Sequence, residues 1–373
     1  MKEKKLGLAL LSLAVMAVLA IGCVCLQNFM HELTNAKEAE VFWPEMRDQY
    51  NQYGLPDHTE LSKEIIVQND TEVIYTDRIF TLGQLTKSDA QYAIKAADAL
   101  LKIEPQIEKL YIMPIPERAV FEEGYETERE AYQTLIENLQ NSVHEGEVIL
   151  DPLEELLAHQ EEYIYFRTHN SWTMRGAFYG MQVMRKALGL EEEDLNGYRT
   201  YMFGDFTGSL LTHATAEYKD TEYEEAIDEM EGDPFYIYIK GHNPNREELT
   251  FRNAQGELKT MKRGTILMNS NGPSSVVGGS YYHSVVSGNG KGSIILIADS
   301  LGKLLVSYLS QLYETVYVVK ADEDALFAEE VNKVVSEYGV HEVLWAQRAS
   351  EIGDASYMKA WNTLLRKEGM AND

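Results

Sequence analysis

The sequence predicts an α/β protein with a doubly wound parallel sheet covered by helices on both faces, preceded by one N-terminal transmembrane helix. Two observations predict this architecture. Apolar strands alternate with helical segments through the C-terminal third of the chain, which is the pattern of a parallel sheet. Residues 6–26 contain no charged side chain, which is typical of a membrane span.

The composition of the 373 residues is that of a globular protein, with 45% hydrophobic and 25% charged residues. The net charge of −27 argues against binding nucleic acid by phosphate neutralisation and against docking on anionic lipid through a basic patch. The two cysteines, Cys23 and Cys25, precede the globular part. The globular part therefore has no disulfide scaffold, cysteine nucleophile or thiolate zinc site.

The N-terminal segment predicts export. Residues 6–26 would span about 31 Å as a helix, close to the hydrocarbon thickness of a bilayer. Lysines 2, 4 and 5 precede this segment and place the N-terminus in the cytoplasm. We expect residues 1–26 to be an uncleaved anchor of an extracytoplasmic domain in the cell membrane. A cleaved signal and a lipoprotein signal ending at Cys23 remain open, and both also export the chain.

The first half of the chain contains a stalk and several shorter elements. Residues 27–60 are polar and contain Pro44, Gly54 and Pro56, which predicts a stalk. Three local signals mark the next elements. Turn residues between apolar runs indicate a hairpin, a capping box at Ser88 indicates the start of a helix, and prolines mark the end of a strand. The predicted elements are a hairpin over 65–75, a helix over 88–103, a strand over 110–114 that leaves the core, a helix over 127–141, a strand over 148–150 followed by a helix, a helix over 173–188, and strands over 198–203 and 235–239.

The C-terminal third has the most regular pattern. Continuous apolar strands alternate with amphipathic helices, as expected for a sheet buried on both faces. The predicted elements are strands over 293–298, 316–319 and 343–345, and helices over 301–312, 325–338 and 355–367. Two other segments read as surface connections: the acidic residues 218–233 predict a solvated loop or insertion, and the glycine-rich residues 288–292 predict a hairpin turn.

A candidate nucleophile follows the strand over 293–298. Ligands of doubly wound sheets bind beyond the carboxyl ends of the strands, where Asp299 and Ser300 lie. A serine at a strand-to-helix turn has an exposed hydroxyl, and amides such as that of Leu301 can face a developing oxyanion. The alternative is that Ser300 only caps the following helix.

Histidine motifs for a metal are missing. His31, His144 and His341 are each followed by glutamate, but no second histidine stands four places after any of them. We therefore expect neither a metal nor a cofactor.

One segment makes the chain resemble a known family. Residues 165–173 read YFRTHNSWT, with Gly176 and Ala177 beyond, and resemble the DHHW family signature Y-x-R-T-D-H-H-W-T-x-x-G-A-Y. Residues 111–116, 204–209 and 294–312 resemble its other segments in the same order. The resemblance covers most of residues 65–350, and family members typically carry an N-terminal membrane anchor.

The DHHW family is similar to the SGNH-hydrolase-like alginate O-acetyltransferases. The resemblance implies an SGNH-type domain over residues 61–373 and acyl transfer onto or from an exported polysaccharide, with Ser300 as the nucleophile. It also implies a cell-surface polysaccharide and a membrane-bound acyltransferase as partners. The residues that it assigns to substrate binding are Arg167, Trp172, Asp205 and Asp299.

The chain departs from the family at the positions that activate the serine. His169 stands at the position of the triad aspartate, and Ser171 stands at the position of the histidine base. A serine hydroxyl cannot serve as a base at neutral pH, so we expect impaired catalysis. His169, His213 and His283 remain candidates for a replacement base. The alternative function is a non-enzymatic polysaccharide-binding or scaffold protein of an export or modification system.

Overall fold

The computed structural model describes residues 61–83, 85, 90–102, 107–240, 246–252, 258–264, 283–321 and 325–367. The strands are β1 (Ile65–Gln68), β2 (Glu72–Tyr75), β3 (Ile79–Thr81), β4 (Lys109–Ile115), β5 (Glu147–Ile149), β6 (Arg199–Phe206), β7 (Asp233–Ile239), β8 (Arg246–Arg252), β9 (Leu258–Gly264), β10 (His283–Ser287), β11 (Ser293–Ala298), β12 (Thr315–Lys320) and β13 (Glu342–Arg348). The helices are α1 (Ala90–Leu101), α2 (Glu126–Gln140), α3 (Leu153–Ala158), α4 (Met174–Ala187), α5 (Ser209–Glu217), α6 (Glu224–Asp228), α7 (Val306–Leu312), α8 (Ala325–Tyr338), α9 (Ala349–Gly353) and α10 (Ala355–Lys367).

The central sheet has eight strands in the order β5-β4-β13-β11-β12-β10-β8-β9. The first five are parallel, and the last three extend the sheet with antiparallel pairs. Two small antiparallel sheets, β1-β2-β3 and β6-β7, accompany it. The prediction of an α/β fold with a mostly parallel sheet is confirmed, as is the hairpin over 65–75.

Helices cover both faces of the sheet. On one face, side chains of α1, α2, α8 and α10 form a continuous core with Ile112, Ile295 and Trp345. The alternating strand residues, such as Leu296 and Leu344, are also buried and point to the other face. That face carries α4 and α7, where the Tyr308 hydroxyl donates to the Met174 carbonyl at 2.6 Å.

The helix predicted over 301–312 is divided. Gly302–Leu305 form a 3₁₀ turn, and α7 begins only at Val306. A side chain at Gly302 would collide with the Ala346 backbone of β13. The tight turn therefore packs directly against the neighbouring strand.

The strands β8, β9 and β10 were not predicted. The hairpin turn predicted over 288–292 is wrong, because β10 pairs with β12 and not with β11. The segment crosses the end of β12 instead, where the Gly288 amide donates to Glu314 and the Gly290 amide to Tyr313. Gly288 and Gly290 are needed for this close backbone approach, because a side chain at either position would collide with the backbone at 310–313.

The strand over 110–114 was predicted to leave the core, and this prediction is wrong. β4 lies inside the sheet between β5 and β13, and Pro114 is part of it. The ladder between β4 and β5 covers only 110–112 on the β4 side. Pro114 is tolerated because its missing N–H falls beyond the last hydrogen-bonded pair on that side.

The acidic segment 218–233 is not simply a solvated loop. It contains α6, and Ile227 and Met230 pack in a small core with Ile74 and Leu211. Asp233 at its end is completely buried. The apolar residues inside the acidic run hold it against the domain.

The predicted anchor over 1–26 and the stalk over 27–60 lie outside the described residues, as does the cap residue Ser88. Within the described part of the chain, no helix has the length and apolarity needed to cross a membrane.

Candidate functional site

Three neighbouring parallel strands end at one edge of the central sheet. Glu117 follows β4, Arg348 ends β13, and Asp299 and Ser300 follow β11. Ser300 is exposed, and its hydroxyl forms no hydrogen bond with any residue that the structure describes. The predicted position of Ser300 at the carboxyl edge of the sheet is confirmed.

Asp299, and not Ser300, caps the turn that follows β11. Its Oδ1 accepts the amides of Leu301 and Gly302, both at 2.9 Å. Its Oδ2 accepts the amide of Arg348 at 3.2 Å and Nε of the same residue at 3.0 Å. The Leu301 amide is therefore already bound. The expectation that it faces a developing oxyanion is wrong. Buried Asp299 positions the turn and Arg348.

The signature loop, residues 165–173, docks against the turn that carries Ser300. Trp172 is fully buried, and its indole Nε1 donates to the Leu301 carbonyl at 2.9 Å. Tyr165 and Trp172 form an isolated antiparallel bridge that closes the loop. Thr173 then caps α4 by accepting two backbone amides. The predicted proximity of this loop to Ser300 is confirmed.

Asp233 anchors the same loop from a distant part of the sequence. Its Oδ1 accepts the Arg167 amide at 2.6 Å and the Tyr163 hydroxyl at 2.5 Å. Its Oδ2 accepts the amide and the hydroxyl of Thr168, at 2.7 and 2.5 Å. These four bonds satisfy a completely buried carboxylate. The sequence did not reveal this role, because Asp233 follows a run of exposed acids.

His169 lies in the loop and accepts a hydrogen bond through its ring. Its Nδ1 accepts the Ser171 amide at 3.1 Å, which assigns the proton of the neutral ring to Nε2. Burial lowers the pKa of His169, as do the charges of Arg348 and Lys303, while Asp233 acts in the opposite direction. In this tautomer, Nε2 has no lone pair with which to accept a proton from a serine.

Ser171 lies in the protein interior. Its side chain is completely buried, and its hydroxyl donates to the Trp172 carbonyl at 3.0 Å. The position that the resemblance to the DHHW family assigns to a base therefore holds a group that neither titrates near neutral pH nor faces solvent.

The other predicted residues are not brought to this edge by any described contact. His213 lies on the exposed face of α5, where its Nε2 is 2.9 Å from Glu217 Oε2. His283 begins β10, and Asp205 pairs with Pro234 between β6 and β7, but their side chains lie outside the described part of the structure.

A buried carboxylate that the sequence analysis missed lies beside the signature loop. The Oε1 of Glu117 accepts the Ser350 amide at 3.0 Å, and its Oε2 has no partner among the described residues. Glu117 lines a cavity of about 100 Å³ together with Asn170 and Arg348. Burial raises its pKa to about 7. Its place directly after a predicted strand was the available signal.

Arg167 lines a larger groove of about 730 Å³. The groove also has aromatic walls, from Tyr163 and Tyr165. Two other arginines in it, at positions 78 and 118, are paired with the buried Glu122. The Arg167 guanidinium has no ion pair with any described residue. It is free to bind a polar or anionic ligand in the groove.

These features define an α/β protein whose candidate site lies at the carboxyl edge of a mostly parallel sheet, with a serine after a central strand. The predicted resemblance to the DHHW family is confirmed, because a sequence model of this family, described as DHHW protein, matches residues 142–319. No curated protein matches the chain.

Two solved structures, with TM-scores above 0.5, show that the fold is shared. A DHHW family protein from Eubacterium siraeum has a TM-score of 0.64 at 19% identity, covering 80% of this chain and 96% of its own. PatB1 of Bacillus cereus, solved with a sulfonyl adduct, has a TM-score of 0.56 at 14% identity, covering 78% of this chain and 99% of its own. The O-acetyltransferase domain of Pseudomonas putida AlgJ has a TM-score of only 0.42 at 10% identity, covering 80% and 99%.

Proposed function

We propose that this chain is a membrane-anchored extracytoplasmic protein that binds a cell-surface polysaccharide in the context of its O-acylation and has severely impaired acyl-transfer activity. One observation carries the catalytic part of the proposal. Ser300 is exposed where a nucleophile belongs, but the base position holds the buried Ser171. The family resemblance supports the acyl and polysaccharide context. The uncharged segment 6–26 supports the anchor, and a membrane-bound acyltransferase is the proposed protein partner.

A nucleophilic serine needs a base within hydrogen-bond reach. Among the described residues, none forms a hydrogen bond with the Ser300 hydroxyl. His169 is the histidine of the signature loop, but its Nδ1 is occupied and the tautomer leaves a proton on Nε2. The loss of a triad base costs about three to six orders of magnitude in rate in serine hydrolases. Turnover of a simple ester should therefore be close to background.

The catalytic part is tested with an aryl acetate assay on four proteins: wild type, Ser300→Ala, the double variant His169→Asp with Ser171→His, and that double variant with Ser300→Ala. We expect the wild type and Ser300→Ala to be equally inactive. The double variant restores the family residues, and any activity it gains should be lost with Ser300→Ala. Circular dichroism of all four proteins controls for folding.

Robust wild-type turnover that disappears in Ser300→Ala would overturn the impaired-catalysis proposal. It would instead support an active enzyme with His169 as the base, after a change of tautomer. A rate that falls with the protonation of a histidine would then identify that base.

The polysaccharide part rests on the Arg167 groove. A guanidinium without an ion-pair partner among the described residues, in a groove that Tyr163 and Tyr165 also line, suits the hydroxyl and carboxylate groups of a sugar chain. Arg167→Ala should weaken binding of polygalacturonate about tenfold, since one charge-assisted hydrogen bond is worth about 1.5–3 kcal/mol. Titration calorimetry with polygalacturonate and with neutral dextran measures the effect and shows whether the anionic group matters.

Lys333→Ala is the matched control, because it also removes one positive charge but lies on α8, outside the groove. Equal binding by wild type and Arg167→Ala, or equal losses in both variants, would contradict the assignment of the groove.

A further inference from the structure

A second cluster of titratable side chains lies at the opposite edge of the sheet from Ser300. Asp98 projects from α1, His144 lies in the turn before β5, and Glu147 is the first residue of β5. Asp98 Oδ1 is 2.7 Å from His144 Nδ1, and Glu147 Oε2 accepts the His144 amide at 2.8 Å. One ligand atom from each of the three side chains lies within 4.8 Å of the other two. The amino edge of the sheet therefore gathers two carboxylates and one imidazole.

Glu147 is the unusual member of this cluster. Its side chain is only 7% exposed, and its Oε1 has no hydrogen-bond partner among the described residues. Burial and the neighbouring Asp98 raise its pKa. A buried carboxylate oxygen without a donor is costly, and a cation placed between the two carboxylates would remove that cost.

We propose that Asp98, His144 and Glu147 bind a divalent transition-metal ion such as Zn²⁺. One imidazole nitrogen with two carboxylate oxygens is a ligand set that zinc accepts, with water in the fourth position. Calcium and magnesium prefer all-oxygen sites, so the imidazole selects against them. Zinc–ligand distances of about 2.0–2.2 Å place tetrahedral ligand atoms about 3.3 Å apart, so the cluster must contract slightly on binding.

The position of the cluster suggests a structural role. Glu147 lies in β5, which among the described strands pairs with β4 alone, whereas Asp98 lies on the helix packed over the sheet. An ion held by both would fasten β5 to that helix. Asp98 and His144 also line a cavity of about 570 Å³.

The sequence motifs did not point to this site. His144-Glu145 was excluded because it lacks the second histidine of a zinc-protease motif. The proposed ligands come from three separate positions that only the packing of α1 against β5 brings together. The inference does not depend on the function proposed above.

The test uses the full chain in detergent, without a histidine tag, after treatment with a chelator. We expect one Zn²⁺ per chain in titration calorimetry and a saturable rise in melting temperature with Zn²⁺ that Mg²⁺ does not produce. His144→Ala and Asp98→Asn should each weaken Zn²⁺ binding by at least about tenfold and abolish the rise. Both changed side chains are at least partly exposed, so the variants should fold.

His213→Ala is the matched control, because it removes another exposed histidine with an acidic neighbour on a different element. It should leave Zn²⁺ binding and the thermal shift as in the wild type. The proposal is overturned if the wild type binds no stoichiometric Zn²⁺, or if His144→Ala binds it as well as the wild type does.

Discussion

Trp172→Ala is expected to lower the free energy of unfolding by about 4 kcal/mol, because removing a buried indole leaves a large cavity. The indole is fully buried, and a side chain at Gly180 would come within 2.7 Å of the ring. It also donates to the Leu301 carbonyl beside Ser300. Urea unfolding followed by circular dichroism measures the change.

Trp172→Phe separates the two contributions of this residue. It keeps most of the ring volume but leaves the Leu301 carbonyl without its donor, and it should cost about 1–2 kcal/mol. A loss below about 1 kcal/mol for Trp172→Ala would show that the signature loop does not depend on this contact for its position.

Glu117→Gln is expected to change the pH dependence of stability. Burial raises the Glu117 pKa from 4.5 to about 7 in the folded protein. Between these values the folded protein holds a proton that the unfolded chain releases, so this group's contribution falls as pH rises from about 4.5 to 7. Glutamine does not ionise, and the variant should gain about 3 kcal/mol relative to the wild type between about pH 4 and pH 8.

The groups around Glu117 oppose the effect of burial. Hydrogen bonds with Ser350 and the charge of Arg348 lower its pKa, and Glu117 in turn raises the pKa of Tyr132 on α2 and of Tyr165 in the signature loop. The measurement is urea unfolding of both proteins across this pH range. Glu123→Gln removes an exposed carboxyl nearby and controls for the loss of one charge. Parallel stability curves for Glu117→Gln and the wild type would contradict the expectation.

The sequence predicted well where a local pattern reports burial. The alternation of strands and helices from 293 to 367 located β11, β12, β13, α8 and α10 within a few residues. The same alternation placed Ser300 at the carboxyl edge, because a parallel sheet brings these strand ends together. The resemblance of residues 165–173 located the loop that docks beside it.

Prediction failed where a partner is distant in the chain. Asp233 reads as the end of an acidic surface run, yet it binds Thr168, which is 65 positions away. Glu117 and Ser350 are separated by 233 positions, and no pattern in either segment indicates their hydrogen bond. The antiparallel strands β8, β9 and β10 carry too few apolar residues to be distinguished from loops by periodicity.

The sequence by itself determined the class of fold, the position of Ser300, and the presence of His169 and Ser171 where the resemblance to the DHHW family implies an acid and a base. Each of these depends on residue type or on the local periodicity of apolar residues, and both can be read from one short segment of the chain. Only the tertiary structure decided that Asp299 caps the turn, that Ser171 is buried and that His169 holds its proton on Nε2. Those outcomes depend on burial and on hydrogen-bond partners that exist only once the strands and the loop have packed against one another.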